Sequence, residues 1–216
     1  MSGPEIVNSI AGLLIITSIL VVEAKQLTRA VTLYSLQSLV LVSVFVALAT
    51  VTGAWQLYLW ALTAFVTKVV LTPVILYRTV RKFDQDPALP SAMGPAASIV
   101  LAALIVALSV IVVAPIRLPG AEAFKPAFAV SLAHFFLGLA CIITQRNIIK
   151  QIFGYCLMEN GSHLTLALMA NQASELIEIG IATDAIFAVI VMSVIGTRIQ
   201  RTLHTLDSCE LASLKG

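Results

Sequence analysis

FGYCLMENGSHLTLAL, residues 153–168, places an acid (Glu159), an amide (Asn160) and an imidazole (His163) inside an otherwise apolar run. The chain around it is 216 residues long, 59% hydrophobic and 11% charged, with a mean hydropathy of +1.00. A water-soluble domain of this length needs far more charge to cover its surface. The apolar runs therefore belong in a membrane, and the fold class expected is all-α: a polytopic membrane protein of about seven transmembrane helices.

A helix needs about 20 residues to cross the hydrocarbon core. That length rule gives spans near 5–23, 31–52, 54–77, 95–114, 127–145, 152–170 and 179–197. The gap after Thr52 allows only a short hairpin at Gly53. FDQDPALPSAMGP, 83–95, is the one linker, because its prolines, acids and glycine stop a helix. Basic residues set the orientation. Lys25, Arg29, Arg78, Arg81, Lys82, Arg146, Lys150, Arg198, Arg201 and Lys215 fall on one side; Arg117 and Lys125 fall on the other. Ten against two puts the N-terminus outside and the C-terminus in the cytoplasm. MSGPEIVNSIAGLL lacks a basic leader region, so no cleaved signal peptide is expected.

Other chemistries find little to stand on. A net charge of +2 with scattered basic residues gives nucleic acid no stripe to bind. Cys141, Cys156 and Cys209 have no metal or redox spacing, and neither a phosphate loop nor HExxH occurs. No metal site, cofactor site or catalytic centre is expected in this chain.

Subtracting the twelve loop and tail cations leaves Lys68, in the middle of WALTAFVTKVVLTPVIL (60–76). Glu159 and Asp184 are the acids within spans, Glu178 stands at an outer edge, and His134 and His163 are intramembrane. Charge at this depth costs about 2.5–3.5 kcal/mol on insertion scales, so such groups face protein or water and mark function. Cys156, Glu159 and His163, at i, i+3 and i+7, share one helical face. A carboxyl caught between burial and a cation exchanges a proton, and the imidazole one turn on can receive it. The bland alternative is a neutral glutamic acid bonding two helices together. Asp184 is read either as a transfer site or as an interface residue reaching water. Lys68 is a switchable partner for a carboxylate or half of a permanent pair with another chain's acid. His134 is a relay or a packing residue. Gln37, Thr63, Thr67 and Thr72 extend a wet path or bond helix to helix. Pro73 is expected to kink its helix.

RNIIKQIFGYCLMENGSHLTLAL resembles the second helix of the complex I K subunit, and EIGIATDAIFAVIVM resembles its third; the tail LDSCELASLKG is similar as well. With four further helices in front, the chain is similar to the hydrogenase-4 component E family, the long K-like subunits of formate hydrogenlyase-type complexes. The resemblance implies a membrane-arm subunit of a hydrogen-evolving complex in the bacterial inner membrane. Its implied partners are antiporter-like membrane subunits, a complex I-like membrane anchor subunit and the hydrogenase arm. Those partners would hold the nickel–iron centre and iron–sulfur clusters. Protons, or the coupling of redox chemistry to ion movement, would pass through Glu159, His163, Asp184, Lys68, His134 and Glu178. Two departures stand out: Cys156 occupies the place of the K subunit's first glutamate, with Glu159 three residues on, and the second carboxylate is an aspartate. Gln37 and Lys68 can be laid on the same two family positions. The chain then divides into a three-helix unit (1–82, a worn K-like copy), a linker with a fourth helix (83–126) and the K-like unit proper (127–216). The rival readings are a K-like subunit of a multisubunit Na⁺/H⁺ antiporter and a non-conducting scaffold.

Overall fold

A computed structural model describes residues 2–83, 93–118, 120–169 and 175–211, the side chains of 175–179 excepted. Most of the 83–95 linker, Lys215 and the side chain of Glu178 lie outside the described residues. Seven long helices follow one another: α1 (Gly3–Glu23), α2 (Leu27–Thr52), α3 (Gln56–Val80), α4 (Pro95–Val113), α5 (Lys125–Thr144), α6 (Ile148–Met169) and α7 (Glu175–Leu203). A short α8 (Ser208–Leu211) ends the described chain. Among the described residues six helices are long and apolar enough to cross a membrane. The exception is α6, which has the length, at 22 residues, but carries Lys150, Glu159, Asn160 and His163. Its polar load, the reason it drew attention in the sequence, is what sets it apart from the other six.

Local chemistry fixes the ends. Ser2 and Glu5 form a capping box on α1, with the Ser2 amide donating to Glu5 Oε2 at 2.8 Å. Gly53, at φ 70°, turns the chain between α2 and α3 and donates its amide to the Ala49 carbonyl. Lys150, expected in a loop, is buried in the first turn of α6 and donates to the Val22 carbonyl at 2.7 Å. It thereby satisfies the open carbonyls where α1 ends. At the opposite end Asn8 of α1 accepts from the Ala127 amide (3.1 Å) and donates to the Ala123 carbonyl (2.9 Å), which caps the start of α5.

Pro73 acts differently from a simple kink. The helix widens into a π-helical stretch at Phe65–Leu71, with Lys68 at its centre. Proline lacks the amide that would bond the Val69 carbonyl; the Ser35 hydroxyl of α2 donates to that carbonyl instead, at 3.1 Å. The widened turn, tied to the next helix, aims Lys68 inward. Such single π-turns recur at functional sites.

The helices pack as two facing rows. α1, α2 and α3 run in sequence, and α5, α6 and α7 run in sequence, with α1 against α5, α2 against α6 and α3 against α7. α4 lies outside, mainly against α5. α5 and α6 approach most closely, because glycine removes the side chains between them. A Cβ on Gly138 would stand 2.3 Å from the Met158 nitrogen, and one on Gly161 2.5 Å from the Phe135 nitrogen. Small residues at such crossings let backbones touch and gain dispersion contacts, which is what drives association in lipid.

Two apolar cores fill the bundle. One gathers Leu14, Leu41, Phe45, Leu57, Trp60 and Leu164; the other gathers Val21, Leu27, Tyr34, Leu76, Ile152 and Phe153. Along every one of α1, α2, α3 and α6 the chain passes from one core to the other through a buried polar residue. Ser18, Gln37, Lys68 and Asn160 are those residues. A polar layer thus divides the apolar interior.

Candidate functional site

The polar layer lies at mid-bundle. Lys68 stands 12 residues from each end of the Gln56–Val80 helix, so roughly 18 Å of helix flanks it on either side. It is 2% exposed, too deep for its four-carbon stem to reach a membrane surface. Its ammonium donates to the carboxylate of Glu159, an ion pair within the chain. The same ammonium donates to Asn160 Oδ1 at 2.9 Å. The partner of Lys68 is therefore in this protein, on α6, rather than on another chain.

From there the hydrogen bonds continue across the bundle. Asn160 Nδ2 donates to Gln37 Oε1 at 2.9 Å. Gln37 Nε2 lies 3.1 Å from His134 Nε2, and His134 Nδ1 lies 2.7 Å from Ser18 Oγ. Ser18 in turn donates to the Leu14 carbonyl. Only one assignment of protons satisfies every member. The Gln37 amide must donate to His134 Nε2, so His134 is the neutral tautomer with its proton on Nδ1, donating to Ser18. Every bond then points the same way, from Lys68 to α1. Five helices (α1, α2, α3, α5 and α6) contribute to one directed chain.

Burial explains why the members are so fully paired. Gln37, His134, Asn160 and Ser18 are each 0% exposed, and an unsatisfied polar group there costs about 1–3 kcal/mol. Within the Lys68–Ser18 network one atom departs from this rule. Glu159 Oε1 is buried and has no hydrogen-bond partner among the described residues. A carboxylate that offers Oε2 to a lysine and keeps Oε1 open can take a proton on the open oxygen.

The residues expected to act together divide. Glu159, Lys68 and His134 join in one network. His163 is 1% exposed and sits one turn along α6 among rings, with centroids 4.9 Å from Phe45 and 5.7 Å from Trp60. On α6 the deeply buried face carries Cys156, Asn160 and His163, while the Glu159 side chain stands at its margin, 13% exposed. Asp184 is exposed on α7 and makes none of the network's hydrogen bonds described above. Glu178 lies on α7, its side chain outside the described residues. Thr63 and Thr67 bond back to the carbonyls of Leu59 and Thr63 on their own helix rather than extending a path. Ser18 and Asn160 join the network as members to which the sequence alone assigns no role. A buried hydroxyl in an apolar helix and an amide next to an acid are the signals that mark them. Among the described residues no group of three acids, histidines or cysteines is placed to hold a metal ion.

Comparison with known proteins agrees with the architecture. The family model for NADH-ubiquinone/plastoquinone oxidoreductase chain 4L matches residues 126–216, which hold α5 to α7. Hydrogenase-4 component E of Escherichia coli (strain K12) is 53% identical over 216 residues, covering 100% of both chains. The protein of that name in Shigella flexneri gives the same values. An uncharacterized protein of Mycobacterium tuberculosis is 25% identical over 215 residues, 97% of this chain and 96% of its own. No solved structure matches the chain. Full-length identity at this level, with a chain 4L match over the helices that supply Glu159, Asn160 and His134, makes the chain a multi-pass membrane protein of the hydrogenase-4 component E family.

Proposed function

We propose that the chain is a membrane-arm subunit of a hydrogenase-4-type complex, and that the Lys68–Glu159 pair is its coupling element. The observation that carries this is the placement of the pair: an ion pair in a polar layer between two apolar cores, with one carboxylate oxygen open and the ammonium tied to an ordered chain.

The chemistry of the chain favours charge coupling over conduction along its full length. Primary amides do not readily pass a proton on, so Asn160 and Gln37 interrupt any relay between Lys68 and His134. What the chain transmits is orientation. While Glu159 is ionised, Lys68 is held charged and polarises Asn160, Gln37 and His134 in series. When Glu159 takes up a proton on Oε1, the ammonium loses its counter-ion in a medium that disfavours bare charge. The favoured responses are release of a proton by Lys68 or a swing of its head toward another acid. Either one alters the field at neighbouring subunits. The partners are those the family relationship implies: antiporter-like and complex I-like membrane subunits, with the hydrogenase arm holding the metal centres. The excess of lysine and arginine on one side supports a periplasmic N-terminus and a cytoplasmic C-terminus. Glu159→Gln in the assembled complex, with assembly, hydrogen evolution and proton translocation read separately, tests the proposal.

A further inference from the structure

A second site lies at the basic end of the bundle, where α3 and α7 diverge. The cleft between them has a volume of about 360 Å³ and is lined by Arg78 of α3, by Lys82 in the turn just past its end, and by Arg198 and Arg201 of α7. Among the described residues no acidic side chain lines it, and none of the four cations is ion-paired. The i, i+3 spacing on α7 brings Arg198 and Arg201 to one face, and the turn after α3 sets Lys82 beside Arg78 at the same cleft. Four like charges converging on one cleft repel one another unless an anion joins them.

Two further features define that anion. Ser193, 3% exposed, lines the cleft, and its hydroxyl has no hydrogen-bond partner among the described residues. A hydroxyl donor beneath a ring of cations suits an oxyanion with several acceptor atoms. The depth is also informative. Arg78 is ten residues beyond Lys68, roughly 15 Å along the helix, which is half of a hydrocarbon core of about 30 Å. The cations therefore stand at the level of lipid phosphates, and Ile75 and Ile190 continue the cleft toward the membrane interior as an apolar wall.

We propose that this cleft binds the phosphodiester headgroup of an anionic glycerophospholipid, with an acyl chain along the Ile75–Ile190 wall. Basic pockets between transmembrane helices are suited to such headgroups. The site is independent of the Lys68–Glu159 reading.

The full-length chain in detergent, titrated with dioleoylphosphatidylglycerol or dioleoylphosphatidylcholine and read by native mass spectrometry, tests it. The wild type should retain the phosphatidylglycerol and not the phosphatidylcholine. Arg78→Gln with Arg198→Gln should weaken phosphatidylglycerol binding by roughly thirtyfold, about 2 kcal/mol. Lys25→Gln with Arg29→Gln removes equal charge from the same end and should leave the affinity within about threefold. The single variants Lys82→Gln and Arg201→Gln give smaller losses in the same direction and serve where a double variant does not fold. Equal retention of the two lipids would overturn the proposal. So would equal losses in the two double variants, or displacement of the lipid by millimolar inorganic phosphate alone.

Discussion

Lys68 and Glu159, ninety-one positions apart in sequence, form a buried ion pair between the π-helical turn of α3 and the middle of α6. Neither charge has another ionic partner among the described residues. Removing either charge leaves the other without a counter-ion among the described residues.

That dependence sets the first expectation. Lys68→Met or Glu159→Leu alone leaves one buried charge without its counter-ion, at a cost of about 3–5 kcal/mol. The double variant removes both charges and should recover most of that loss. Thermal denaturation of the four proteins in detergent gives the double-mutant cycle. Additive losses would mean that the pair is not coupled.

The directed chain makes a second prediction, about one proton. His134 should be neutral with its proton on Nδ1, a state that ¹⁵N spectra of histidine-labelled protein report directly. Only His163 and His204 need to be told apart from it. Gln37→Leu removes the donor to Nε2 and should shift the His134 signals while costing about 1–3 kcal/mol. Unchanged His134 spectra in that variant would break the chain at its middle.

Close packing of α5 on α6 gives the third. Gly138→Ala and Gly161→Ala drive a methyl group into backbone atoms and should each destabilise the protein by about 1–3 kcal/mol. They should also loosen the Asn160–Gln37–His134 bonds, which link α6 to α5 through Gln37 of α2. Gly12→Ala meets nothing within 4 Å and should be neutral or stabilising by up to about 1 kcal/mol. Thermal shifts in one detergent compare the three.

The π-helical turn gives the fourth. Ser35→Ala removes the donor to the Val69 carbonyl and should cost about 1–3 kcal/mol. Combining it with Pro73→Ala, which returns an amide to that carbonyl, should restore much of the loss. Failure of the second change to compensate would mean that the hydroxyl stabilises the turn by other contacts.

How far the sequence discloses this arrangement depends on the kind of interaction. Seven helices follow from composition and length, because the hydrocarbon thickness imposes one scale on every span. Their limits follow less closely, since α2 begins at Leu27 rather than 31 and α7 runs Glu175–Leu203 rather than 179–197. Lys68 and Glu159 stand out singly, since charge in an apolar run is conspicuous. Their union does not, because it joins α3 to α6 across a bundle whose packing no local pattern specifies. Ser18 illustrates the harder case. A serine in an apolar helix normally bonds its own backbone, as Ser18 does with Leu14; its second bond, to His134, exists only because α1 faces α5. Pro73 was legible as a disturbance but not as a π-turn, which depends on Ser35 from the next helix. The pairing of α1 with α5, α2 with α6 and α3 with α7 is an arrangement that two copies of one three-helix unit can adopt. We propose that 1–82 and 127–216 are such copies, with Gln37 and Lys68 as the altered counterparts of the second unit's polar positions. Overlay of α1–α3 on α5–α7 with helix order kept tests this.

The most direct test of the coupling role is proton translocation by inverted membrane vesicles that carry the assembled complex with Glu159→Gln. Hydrogen evolution and co-purification of the other subunits are measured on the same vesicles. The expected result is an assembled complex that still evolves hydrogen but no longer moves protons with it. Translocation at the wild-type ratio of protons to hydrogen would contradict a coupling role for the Lys68–Glu159 pair.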